Sequence, residues 1–252
     1  QGQIYVGLGN HSLKHDYLIG ISINSKQQQI YSLSYKYEDF IFDHNKCQFL
    51  GLRLDLGNLC YLLDIYDKNI RLCKSISLFK WEDSRFELLF NGEHIPPGRL
   101  SIQDDLFIIL PLFKKLIRYS IADNHLIKIS DNKLFKYASH ILCTEEKLYI
   151  TLWSLHSIYI FDNYLSEIYS IQSRDLYYPL CLSYNQNLEI FYTIQLIFGF
   201  FEGYIVEYSK KFNCLDKYPY TFANPYPPPI TSITNNNKHY FIVGEASDLL
   251  IG

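Results

Sequence analysis

The chain is predicted to be all-β, a six-bladed β-propeller of four-stranded antiparallel blades, and three observations predict it. Residues 137–172 break into four apolar segments, ASHILC, KLYITLW, SIYIFD and EIYSIQ, parted by the polar breaks TEE, SLH and NYLS. Tyr, Ile, Leu and Thr dominate them, and alternation or short continuous apolar runs read as strands. The unit recurs about every 44 residues. A small twisted sheet buries both faces only by stacking on its neighbours, so a repeat of that length with four strands per unit predicts a propeller. No segment carries apolar residues at helical spacing beyond a turn, which excludes an α/β fold, and a two-sheet sandwich would not repeat.

In chain order, the residue that opens the second strand of each unit is read at Tyr17, Leu59, Leu106, Leu148, Leu188 and Tyr240. The opener of the third strand is read at Ile30, Ile70, Leu116, Ile158, Tyr204 and Leu249. Together they divide a single domain into units 1–40, 41–92, 93–135, 136–174, 175–222 and 223–252, the last incomplete. Its missing outer strand is expected from IYVGLG near the start or from beyond the chain. The chain opens on Gln1 and ends on LLIG, as a processed chain or a piece of a longer one does.

Composition narrows the function. A net charge of −3, with scattered Lys and Arg, offers no basic field to nucleic acid or anionic lipid. The longest apolar runs, such as residues 106–113, are far shorter than the roughly 18 residues a spanning helix needs, so no membrane insertion is expected. The six cysteines include no CxxC pair, and the inferred registers set other residues opposite Cys47, Cys60 and Cys73. Free thiols and a reducing compartment are therefore expected. The sequon at Asn10, with the missing initiator Met, carries the secreted alternative.

No catalytic, cofactor or metal motif stands up. Residues 7–12, GLGNHS, begin like a dinucleotide fingerprint but place Ser12 at the third glycine, with no helix pattern behind it. His11 and His15 lie in a loop rather than on a helix face. Asp104 with Asp105 and Glu145 with Glu146 are expected as solvated turn tips. His140 is read as a hydrogen-bonded core residue rather than a ligand.

Residues 148–162, 188–208 and 106–119 carry the strand, turn, strand pattern of which KLYITLW and SIYIFD are the clearest pair, and in this they resemble six-bladed propellers of the NHL and SMP-30/gluconolactonase class. The run RLDLGNLCYLLDIYDKNIRLC, with GRLSI and residues 140–161, is also similar to the yellow and major royal jelly family. The first resemblance raises a calcium-dependent lactonase, which needs Glu, Asp and Asn converging on the channel. The inner strands LGLRLD, RLSIQ, SHILC, PLCLSY and ITSIT are apolar and hydroxylic instead.

The departures from the repeat are insertions. IQLIFGFFEG in the fifth unit stands where the fourth has SLH, adding Phe198, Phe200 and Phe201. The neighbouring inter-unit segments bring Tyr177 and Tyr178 in SRDLYYP and Tyr226 in FANPYPPP. Under the propeller reading all six aromatics emerge on one face and form a partner-binding patch. The expected function is a non-catalytic protein-interaction platform without cofactors; the alternative is a secreted propeller that binds or hydrolyses a small ligand in its axial pocket.

Overall fold

The computed structural model describes residues 3–8, 17–22, 28–80, 96–173, 175–197, 202–221, 230–235 and 238–243. Among them there are strands and short 3-10 turns and no α-helix. The described residues fall into two compact units, the first carrying the first two sheets and the second carrying the other four.

In the first unit, β1 (Gln3–Leu8), β2 (Tyr17–Ser22) and β3 (Gln28–Ser32) form a three-stranded sheet. Sheet two follows with β4 (Asp39–Asp43), β5 (Gln48–Asp55), β6 (Cys60–Tyr66) and β7 (Leu72–Lys80). It opens at Asp39, two residues before the boundary read from the sequence.

The second unit holds three further four-stranded antiparallel sheets and a two-stranded one. Sheet three is β8 (Arg99–Ile102), β9 (Leu106–Leu110), β10 (Lys115–Ser120) and β11 (His125–Asp131). Sheet four is β12 (Ala138–Cys143), β13 (Leu148–Leu152), β14 (Ser157–Phe161) and β15 (Glu167–Gln172). Sheet five is β16 (Pro179–Asn185), β17 (Ile190–Leu196), β18 (Glu202–Ser209) and β19 (Cys214–Thr221), and β20 (Ile230–Asn235) pairs with β21 (Lys238–Val243). Each sheet runs in chain order, every pairing is antiparallel, and the first strands β8, β12, β16 and β20 neighbour one another in turn. This is a β-propeller arrangement.

The core lies between sheets. Phe107, Ile109 and Leu116 of sheet three pack on Ile141, Leu148, Ile150 and Phe161 of sheet four. The other face of sheet four, with Tyr149, Ile158 and Ile160, packs on Leu182, Phe191, Val206 and Tyr208 of sheet five. Alternation along each middle strand supplies both faces, which is why β9 and β13 are buried throughout.

Leu106 and Leu148 open second strands, Leu116 and Ile158 lie at the start of third strands, and all four are fully buried. Four other openers are corrected. Leu188 is 41% exposed in the turn before β17. Tyr204 is the third residue of β18 and 36% exposed, with Val206 taking the core position. Leu59 precedes the third strand of its sheet, and Ile70 precedes the fourth. For Leu59, Ile70 and Leu188 the cause is a turn in which Asp or Asn caps its own loop. Asp55 Oδ1 accepts from Gly57 N and Asn58 N, and Asn185 Oδ1 accepts from Asn187 N and Leu188 N. The loop then closes through a left-handed residue, Leu59 at φ 49° and Glu189 at φ 54°. Apolar residues there imitate the first residue of a strand.

All six cysteines are free thiols. A hairpin turn at Lys68 and Asn69 would set Cys60 against Ser77, but Cys60 lies opposite Lys80, because bulges at Tyr61/Leu62 and Ile65/Tyr66 shift β7. In sheet two, the buried Asp64 carboxylate accepts from Tyr37 Oη and Arg53 Nε, each at 2.7 Å, and Tyr37 also bonds Tyr66 Oη. Gly51, opposite Asp64, makes room for this: a Cβ there would lie 2.6 Å from the Tyr37 ring. Arg53 and the Tyr37 phenol together satisfy one oxygen of this carboxylate inside the first unit's core.

Candidate functional site

The site is built where β13 turns into β14 and where sheet four hands over to sheet five. After Leu152 the chain makes one 3-10 turn, Trp153–Leu155, closed by left-handed His156 at φ 50°. The His156 N–H then donates to the Trp153 carbonyl at 3.4 Å. Antiparallel topology brings the C-terminal end of β15, and therefore the segment into β16, to the same edge of the unit. That segment carries Tyr177 and Tyr178.

Four rings meet there. The His156 imidazole stacks on Tyr177, centroids 5.1 Å apart and planes 20° from parallel. Tyr178 stands edge-on to both, 4.4 Å from His156 and 4.8 Å from Tyr177, and its far side approaches Trp153 at 5.8 Å. The contacts among His156, Tyr177 and Tyr178 are the favoured stacked and edge-to-face geometries, and Trp153 meets Tyr178 at a tilt of 41°. The Tyr178 N–H donates to His156 Nδ1 at 3.1 Å, so this imidazole nitrogen is an acceptor. Tyr177 remains 45% exposed beside an open depression of about 460 Å³ lined by Leu155, His156, Gln172, Ser173, Leu176 and Tyr177.

The segment is held from below by a neutral buried network. Gln195 Nε2 donates to the Asp175 carbonyl at 2.7 Å and to Tyr208 Oη at 2.6 Å, and Tyr208 Oη donates to the same carbonyl at 2.6 Å. Gln195 Oε1 accepts from the Tyr177 N–H at 3.3 Å. Leu176 inserts into the core between sheets four and five. Burial pushes the Tyr208 phenol well above its ordinary range, so it stays a neutral donor. Backbone groups that a loop would otherwise leave to water are thus met by side chains of the next sheet.

Of the six aromatics singled out from the sequence, the structure brings Tyr177 and Tyr178 together. Phe198, Phe200, Phe201 and Tyr226 lie outside the described residues. The hairpin that carries the phenylalanines is longer than its counterpart: β17 and β18 have seven and eight residues against five and five in β13 and β14, with Gln195 opposite Tyr204 and Leu196 opposite Gly203. Trp153 and His156 were passed over inside a turn, and Gln195 inside a strand. The signal for His156 was present in the Trp-Ser-Leu-His turn, since a left-handed position ahead of a strand aims its side chain out of the sheet.

The catalytic candidates take structural places. His140 Nδ1 accepts from the Leu182 N–H at 3.4 Å across the β12–β16 boundary, and burial, aided by the Arg99 charge, pulls its imidazole down to about 3. Arg99 Nε donates to the Ser139 carbonyl. Asp105 is not a solvated tip: Arg118 meets its Oδ2 at 2.6 Å, and both side chains are mostly buried. Glu145 is exposed and accepts from Gln186 Nε2. His11 and His15 lie outside the described residues. Among those described, no three His, Cys, Asp or Glu come together as metal ligands do.

No family model and no curated protein matches the chain. Solved structures do. A 6-phosphogluconolactonase-type protein from Bacteroides uniformis superposes with a TM-score of 0.60 at 10% identity, over 96% of this chain and 82% of that one. Streptogramin B lyase gives 0.58 at 12% identity, over 97% and 80%. Kuenenia stuttgartiensis hydrazine synthase gives 0.57 at 9% identity over 77% of this chain, which spans about half (52%) of that one. At such identities the likeness is one of fold, and it is to propeller-type proteins, in agreement with the NHL and SMP-30 resemblance.

Proposed function

We propose that this chain is a protein-interaction platform without chemistry of its own, and that its partner docks on the loop edge around Tyr177 and Tyr178. The observation that carries this is an exposed tyrosine held rigid on a scaffold. Tyr177 is stacked by His156 and pinned through its own N–H to a buried glutamine. An aromatic ring that is fixed before binding loses little side-chain entropy on contact, and such rings anchor interfaces. The adjoining end of the β17–β18 hairpin adds a second depression of about 210 Å³, lined by Ile197, Glu202, Gly203, Tyr204, Pro219 and Thr221. Both lie at the edge where second strands meet third strands, so a single partner reaches both.

The test is site-specific photo-crosslinking in the native cell. A benzophenone side chain at Tyr177 is expected to capture a discrete protein, and one at Glu146, at the opposite ends of the same strands, is expected to capture none. The alternative of a small ligand at the inner strands is suggested by the lyase and lactonase names of the similar structures. It predicts no protein adduct at either position and a small molecule that copurifies with the chain.

A further inference from the structure

We propose that the peptide plane joining Tyr177 to Tyr178 is a proton-operated switch: neutral His156 holds it in the observed orientation, and protonation of His156 turns it over. The consequence for docking rests on the partner reading of this edge, whereas the switch itself needs no partner.

Ten non-glycine residues among those described have positive φ. Nine of them close a turn between consecutive strands of one sheet, as Lys114 and His156 do. Tyr178, at φ 44°, is the tenth, and it lies in the connection from β15 to β16. A bulky aromatic residue is strained in that conformation. It also precedes Pro179, and a residue before proline favours extended backbone with φ near roughly −120°. Two preferences of the chain thus oppose the observed conformation, and the bond from the Tyr178 N–H to His156 Nδ1, at 3.1 Å, favours it.

The chain is anchored on either side. Leu176 lies in the core, the Tyr177 N–H donates to Gln195 Oε1, and the Pro179 carbonyl accepts from Ser139 Oγ at 3.0 Å. Between such anchors the least disruptive change is a half-turn of one peptide plane, which alters ψ of Tyr177 and φ of Tyr178 and leaves both Cα atoms in place. From 44° it carries φ of Tyr178 into the extended region that Pro179 favours. It also exchanges the N–H that faces His156 for the Tyr177 carbonyl, because a trans peptide points the two in opposite directions. Neutral His156 accepts at Nδ1 and fits the N–H; the imidazolium donates from both nitrogens and fits the carbonyl. The proton comes from solvent, and each charge state bonds its own orientation of the plane.

The charged groups on the elements packed about this imidazole are Lys133 and Lys136, in the 3-10 turn Lys133–Tyr137, and Asp175, which Lys217 engages at 3.0 Å. The phenols there are those of Tyr137, Tyr177, Tyr178 and Tyr208, and Arg174 lies outside the described residues. Among the described residues none of these side chains hydrogen-bonds or ion-pairs with the ring, so the backbone of Tyr177 and Tyr178 is what reads its proton.

An NMR titration of the full chain from about pH 8 to about pH 5, the range in which imidazoles change charge, tests this. The His156 ring resonances give the midpoint. The Tyr178 amide and Cα shifts should pass from left-handed to extended values at that same midpoint, while those of Ile150 and Thr193, in β13 and β17, stay in place. In His156→Asn, an uncharged residue that tolerates left-handed backbone, the Tyr178 change should be lost. A wild-type His156 that titrates while Tyr178 keeps its left-handed shifts overturns the proposal, whether or not the variant folds. So does a ring that stays neutral over the whole range, or a Tyr178 change that persists in folded His156→Asn. Below the midpoint the docking-competent fraction falls about tenfold per pH unit, and the affinity of a protein captured at Tyr177 should fall by the same factor. Capture of no protein there would defeat the partner reading and not the switch, since the titration is made on the free chain.

Discussion

Sheets three and four turn from their second strand into their third with the same backbone and put it to opposite uses. In sheet three, residues Pro111–Phe113 form the 3-10 turn and Lys114 closes it at φ 56°; in sheet four, Trp153–Leu155 form it and His156 closes it at φ 50°. The first turn buries Pro111, Leu112 and Phe113, whereas none of Trp153, Ser154 and Leu155 is fully buried. In the second turn the left-handed residue is a stacked imidazole instead of a lysine. One local geometry therefore serves as a plug in one sheet and as a ring platform in the next.

That comparison breaks most sharply in the plug. Phe113→Ala empties a buried site and should cost about 3–5 kcal/mol of unfolding free energy, measured by urea denaturation. Equal stability of this variant and the wild type would show that the two turns are not distinguished by packing. A smaller effect is expected below the platform. Gln195→Leu removes the acceptor for the Tyr177 N–H and a donor to the Asp175 carbonyl, and should cost about 1–3 kcal/mol. It should also raise hydrogen exchange across residues 175–178, which a purely global loss of stability would not confine there.

A third effect shows only as a dependence on pH. His140 is held neutral in the fold at a pKa of about 3 and is free to protonate at its ordinary value in the unfolded chain. Between those values the unfolded state binds the extra proton, so the contribution is complete above about pH 6.5 and is lost as pH falls. The slope approaches about 1.4 kcal/mol per pH unit near pH 5. In His140→Gln that slope should flatten by this amount; an unchanged slope would mean that His140 does not carry it.

The parts legible in the sequence are those where burial repeats. Leu106, Leu116, Leu148 and Ile158 sit in apolar alternation between polar turns, and pleated strands translate that pattern directly into burial. Leu59, Ile70 and Leu188 misled because their turns are organised by an upstream Asp or Asn side chain, which lets an apolar residue occupy a loop. Tyr177 and Tyr178 were visible as aromatics in a connecting segment. Their supports were not: His156 lies about twenty residues upstream and Gln195 about as far downstream, brought together only by the stacking of sheets four and five. Gln195 also occupies a strand position where alternation leads one to expect an apolar side chain.

The most direct test of the account is to measure partner affinity and stability together in Tyr177→Ala with Tyr178→Ala, using the protein captured by the Tyr177 crosslink. The account predicts a loss of roughly 2–4 kcal/mol of binding, about 30- to 1,000-fold in Kd, with unfolding free energy lowered by about 1 kcal/mol or less. Undiminished affinity in the folded double variant would contradict it, and would leave these rings as packing between two sheets.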